Sequence, residues 1–73
     1  MLFRRKKHFV KEAKYQKDDY VNFKYKDELY FGYIYESYRD DNNEIYYTIQ
    51  IAGQCPFFIY NYYEKDIIGI RKK

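Results

Sequence analysis

Leu29 to Tyr38 reads LYFGYIYESY. Nine of these ten residues are aromatic, aliphatic, Gly or Ser, and Glu36 is the only charge. Both alternating faces are apolar, the pattern of a strand covered on both sides. The polar triplet Lys26-Asp27-Glu28 leads into it from YVNFKY, and Arg39-Asp40-Asp41-Asn42-Asn43-Glu44 forms a polar loop after it, rich in residues that turn a chain. The stretch is therefore expected to be the central strand of a small β protein.

Outward from this strand the period of two persists. Tyr20 to Tyr25 sets Val21, Phe23 and Tyr25 against Tyr20, Asn22 and Lys24, and Ile45 to Ile51 sets Ile45, Tyr47, Ile49 and Ile51 against Tyr46, Thr48 and Gln50. Ala52-Gly53-Gln54 predicts a turn. Pro56 cannot donate to a ladder, so the next strand is expected at Phe57, running FFIY. Asn61 to Asp66 suits a single 3-10 turn, followed by a last strand over Ile67 to Arg71. Gly32 marks a bend or a close backbone approach. Ahead of the strands, Leu2, Phe3, Lys6, Phe9, Val10 and Ala13 fall at helical spacing, which predicts an amphipathic helix over 2–15. It has no N-terminal cap and is short, so it needs a surface to pack on. The expected organisation is a basic helical arm, 1–17, and a β domain, 18–73.

The succession DYVNFKY, YFGYIY, two further strands and YYEKDIIGI resembles the SH3-like small barrel in its Tudor and KOW style, over residues 18 to 71. That resemblance implies a five-stranded barrel with a 3-10 turn before the last strand, and by itself implies no activity. An OB-fold is the alternative architecture, with longer strands and a helix inserted between strands three and four. The chain also resembles small phage or mobile-element proteins of AT-rich Gram-positive bacteria.

At 73 residues the chain is one domain that buries roughly 60% of its unfolded surface, so its stability must rest on large side chains. Twelve Tyr and six Phe supply them. No run approaches the roughly 20 apolar residues of a membrane-spanning helix. The lone Cys55 forms no internal disulfide, and the basic start MLFRRKKHF lacks an apolar stretch after it, so the expected setting is the cytoplasm. Charge is unevenly spread. Residues 1–17 hold seven basic side chains against Glu12, a net +6; residues 18–70 hold four basic against ten acidic, a net −6; and Arg71-Lys72-Lys73 adds +3.

If Gly32 and Ile34 point inward, the core is Val21, Phe23, Ile34, Ile45, Tyr47, Ile49, Ile51, Phe57, Ile59 and Ile67 or Ile68. Phe31, Tyr33 and Tyr35 then point outward, flanked by Tyr46 or by Phe58 and Tyr60. So large an apolar row calls for a cover. The arm itself, a protein partner or second copy, and stacked nucleobases are the three candidates. Phe31, Tyr33, Tyr35 and Tyr46 are the expected contact residues. Arg4, Arg5, Lys6, Lys7, Arg71, Lys72 and Lys73 form a candidate basic patch, whereas the acidic body disfavours phosphate tracking on the β face.

Chemistry is sparse. His8 has no Cys or Asp at ligand or base spacing, and Cys55 has no His near it in sequence. Asp40, Asn42 and Glu44 have the spacing that opens a calcium loop, but Ile45 and Ile51 stand where the Gly and the bidentate Glu belong. The reading is a non-enzymatic binding module without cofactor or metal. Its expected partner is a protein or a second copy of itself, with nucleic acid as the alternative.

Overall fold

The computed structural model describes residues 8–51 and 57–71. The predicted turn at 52–54, Cys55 and Pro56, the basic residues Arg4 to Lys7, and Lys72 and Lys73 lie outside the described residues. Five strands form one antiparallel sheet: β1 (Tyr20–Tyr25), β2 (Glu28–Arg39), β3 (Ile45–Ile51), β4 (Phe57–Tyr63) and β5 (Ile67–Ile70). Their order across the sheet is β4-β3-β2-β1-β5. A 3-10 turn, Glu64–Asp66, precedes β5 as expected, while β4 runs three residues beyond the predicted FFIY.

Local chemistry sets the hairpins. Lys26 and Asp27 have φ of 52° and 65° and Tyr25 pairs with Glu28, a two-residue loop whose left-handed backbone matches the strand twist. In the β2–β3 loop the Asp40 carboxylate accepts the N–H groups of Asn42 and Glu44, both at 2.9 Å, and Asn43 takes a φ of 67°.

β2 is longer than either neighbour. It pairs with β1 over 28–33 and with β3 over 33–39, so beyond Tyr33 the edge that faced β1 needs another partner. Residues 8–19 supply it. Ile34 donates to the Asp19 carbonyl (2.9 Å) and accepts from Asp18 N–H (3.2 Å), Ser37 N–H donates to the His8 carbonyl (2.9 Å), and Val10 N–H donates to Ser37 Oγ (2.7 Å). The expected helix is therefore corrected over its described part: residues 8–15 hold turns and bends, with one local bond from Ala13 N–H to the Val10 carbonyl at 3.1 Å. An uncapped short helix gains little in water, whereas the sheet edge offers fixed partners to the same backbone groups.

The β2–β3 and β3–β4 ladders slip at one place. Tyr35 is an extra residue of β2 between the pairs Ile34–Ile49 and Glu36–Thr48, and Tyr60 and Asn61 face the single Thr48 between the pairs Ile49–Ile59 and Tyr47–Tyr62. Asn61 has a φ of 58°. Two bulges flanking one step of β3 bend the sheet across that line. The curl carries the Tyr62 ring to 5.0 Å from Phe23 of β1, and its hydroxyl donates to the Lys24 carbonyl at 2.6 Å.

Inside the curl lie Val21, Phe23, Ile34, Tyr47, Ile49, Ile51, Ile59 and Ile67, joined by Val10, Ala13 and Tyr15 from the arm. Two expected core residues differ. Phe57 is 43% exposed because it opens an outer strand and leans on Tyr30 (6.4 Å), and Ile45 is only partly buried. Ile67 enters the core in preference to Ile68, which is the extra residue of β5 against β1.

Gly32 is the close approach: a Cβ there would stand 2.7 Å from Ile49 Cγ2 and 2.9 Å from the Gln50 carbonyl oxygen. At Gly69 no heavy atom lies within 4 Å of the same position. Gly32→Ala is expected to lower unfolding free energy by about 1–3 kcal/mol in urea denaturation, as overpacking does, and Gly69→Ala to change it by less than about 0.5 kcal/mol.

Candidate partner-binding face

The outer face of the sheet carries two rows of rings, each built by strand register. The first runs Tyr20, Tyr33, Gln50, Phe58 across β1, β2, β3 and β4. Tyr20 sits 4.7 Å from Tyr33 and 6.3 Å from Phe31, whose ring lies 4.2 Å from the Arg71 guanidinium carbon. Next to Phe58 stand Tyr35 (4.8 Å) and Tyr60 (6.2 Å), side chains of the two bulges. The second row runs Tyr38, Tyr46, Tyr63 across β2, β3 and β4, with successive centroids 5.5 Å apart. His8 stacks on its open end, 4.7 Å from Tyr38 and within 7° of parallel.

The four expected contact residues are thus distributed over three groups. Phe31 and Tyr33 belong with Tyr20 and Arg71, Tyr35 with Phe58 and Tyr60, and Tyr46 with Tyr38 and Tyr63. All four are half-buried against ring neighbours. The most exposed large rings are Tyr60 (67%), Phe57 and Phe58 (36%). The arm, one of the three expected covers, directs Val10, Ala13 and Tyr15 into the core, and its His8 ring covers Tyr38. Tyr20 was visible in the sequence as an outward residue of β1. Tyr38 was not, because the bulge at Tyr35 reverses the parity of everything after it.

That reversal also explains two buried polar residues. Ser37 turns inward and receives Val10, while Glu36 stays on the outer side but is buried beneath the arm, its carboxylate accepting His8 N–H (3.2 Å) and the Tyr38 hydroxyl (2.7 Å). His8 Nδ1 lies 2.6 Å from the Ser37 carbonyl, which only accepts, so Nδ1 carries the proton. His8 thus has a structural role at the arm.

A second network, buried at Tyr15 and Tyr47 and exposed at Lys14, closes the far side of the arm. The Tyr47 hydroxyl accepts Tyr15 N–H (3.1 Å) and donates to Glu64 (2.6 Å), and the same carboxylate oxygen accepts Lys14 N–H (2.9 Å). Burial first, and then the bond to Glu64, push the Tyr47 hydroxyl's pKa well above its ordinary 10. Its contribution is complete below pH 10 and declines only as the pH rises through the elevated folded value. Asp40 is shifted the other way. The Glu44 N–H, opposed by some desolvation and joined by the Tyr63 hydroxyl and Asn42 N–H, holds it below 3.8.

Among the described residues no group of three or more His, Cys, Asp or Glu is placed to hold a metal, and no helix is long and apolar enough to cross a membrane. Comparison with protein-family models, with curated proteins and with solved structures yields no match.

Tyr47→Phe leaves Tyr15 N–H without its acceptor and is expected to cost about 1–3 kcal/mol, with Tyr15 and Lys14 amides exchanging faster in hydrogen-exchange NMR. Acid acts elsewhere. As pH falls through the depressed value of Asp40, the stabilisation present above 3.8 is lost, so the Asn42 and Glu44 amides should shift and lose protection together, ahead of the β1–β2 hairpin.

Proposed function

We propose that this chain is a non-enzymatic binding module of the cytoplasm, an SH3-like small barrel that engages a protein partner through Tyr35, Phe58 and Tyr60. The barrel reading is supported by β5 lying beside β1, by the 3-10 turn before β5, and by the curl that brings Tyr62 onto Phe23. The observation that carries the function is the exposed ring group at the two bulges. Tyr60 and Phe58 lie against Tyr35 on a face whose other rings are packed into cross-strand rows. Rigid aromatic rings held by a sheet lose little entropy on contact, which is why such residues dominate the energetics of interfaces. Phe31 and Tyr33 on one side and Tyr46 on the other would flank the contact.

One observation favours nucleic acid as the second reading. Arg71 lies over Phe31 beside Tyr20 and Tyr33, a cation and three rings of the kind that hold a base and its phosphate. Arg4 to Lys7, Lys72 and Lys73 would add charge steering to either partner.

The test is photo-crosslinking in cells with benzoylphenylalanine at position 60 and, as the control, at position 26 in the β1–β2 turn. Adducts to another protein from position 60 alone, weakened at least tenfold by Phe58→Ser, are expected. Adducts only between copies of this chain would make it a self-associating module. Equal labelling from both positions, or salt-dependent oligonucleotide binding that Arg71→Ala abolishes, would displace the protein reading.

A further inference from the structure

The second ring row ends at a pocket. Asn43, Glu44 and Ile45 of the β2–β3 hairpin face Tyr63, Glu64 and Lys65 across a cavity of about 190 Å³. One water takes roughly 10–15 Å³ on this measure, so the space admits the head of a long side chain. Its walls are of two kinds: the Tyr63 ring and Ile45 are apolar, and the Glu44 and Glu64 carboxylates are anionic. The two segments that form it, 40–44 and 64–66, carry Asp40, Asp41, Glu44, Glu64 and Asp66 against the single cation Lys65.

Lys65 shows which chemistry the place accepts. Its ammonium lies 5.9 Å from the Tyr63 centroid and 3.6 Å from Glu44, and its side chain is 69% exposed. A pair that long and that wet contributes little, so a better cation can replace it. The rest of the pocket is held by other partners: Tyr63 by Asp40 at 2.9 Å, and Glu64 by Tyr47 and Lys14. Cation-on-ring contact is also a habit of this surface. Among the described residues it recurs at Lys14 on Tyr15, Lys26 on Tyr25, Lys65 on Tyr63 and Arg71 on Phe31.

We propose that this pocket is a docking site for an arginine side chain of a polypeptide partner, its guanidinium lying on Tyr63 and pairing with Glu44 in the place Lys65 reaches in the free protein. Arginine fits better than lysine because a planar fork stacks on a ring and meets a carboxylate with two N–H groups at once. The inference deepens the protein-binding reading by naming the partner's chemistry, and shares with it only that the partner is a polypeptide.

The experiment is an amide NMR titration of the full chain with a blocked Gly-Arg-Gly-Arg-Gly peptide, and with the same peptide carrying citrulline for arginine. Saturable shifts confined to 43–45 and 63–65, absent with citrulline, are expected. Glu44→Gln should weaken binding about threefold to fivefold and Lys65→Met should tighten it by a similar factor. Phe58→Ser with Tyr60→Ser should leave these values unchanged, so the pocket and the outer face fail independently. Absence of saturable shifts overturns the proposal. So do shifts of equal size at Asp27 and Glu28, or a gain from Lys24→Met equal to that from Lys65→Met, since either outcome reduces the effect to net charge.

Discussion

A strand longer than its neighbours leaves backbone donors and acceptors without partners, and β2 is such a strand. Its 12 residues are met by β1 and β3 over different halves, overlapping only at Tyr33. The unmet edge dictates what precedes the sheet. Residues 8–19 meet it through His8, Val10, Asp18 and Asp19, and the turns and bends between these points deliver Val10, Ala13 and Tyr15 to the open side of the core. Tyr15 then reaches Tyr47, Tyr47 reaches Glu64, and the 3-10 turn is tied to the arm that lies 50 residues before it. One backbone requirement thus couples the start of the described chain to its end.

The second constraint is the pair of bulges at the Thr48–Ile49 step of β3. Each adds a residue that the facing strand cannot match, so the sheet bends there and the added side chains, Tyr35 and Tyr60, are turned outward. Curl and exposed rings have one origin. The bend that closes Tyr62 over Phe23 is the same that gathers Tyr35, Phe58 and Tyr60 into one group.

The acidic body, met in the sequence as an electrostatic asymmetry, has a structural use. Tyr30 donates to Glu28, Tyr38 to Glu36, Tyr47 to Glu64 and Tyr63 to Asp40. A chain that fills itself with tyrosine must find acceptors for hydroxyls near or inside the fold, and carboxylates are strong ones. The price of an apolar core made from Tyr is a set of placed acids. Two of those acids also stand beside Tyr63, Asp40 at its hydroxyl and Glu64 in the lining of the pocket it borders.

The strands were legible because a strand's signal is local: side chains alternate with a period of two, and Lys26-Asp27 and Asp40 to Asn43 carry their turn chemistry within four residues. β1 and β3 follow from that alone, as do most of the core and the close approach at Gly32. What required the tertiary structure was everything decided by a partner distant in sequence. Apolar spacing over 2–15 suits a helix, and only the unmet edge of β2 gives residues 8–15 turns and bends in its place. The bulge at Tyr35 is invisible to alternation yet inverts it, moving Ser37 inward and Tyr38 outward, and so the row read as Phe31, Tyr33 and Tyr35 with Tyr46 beside it is divided among three ring groups. Period fixes which residues can share a face; the hydrogen-bond requirements of neighbouring strands fix where that period slips.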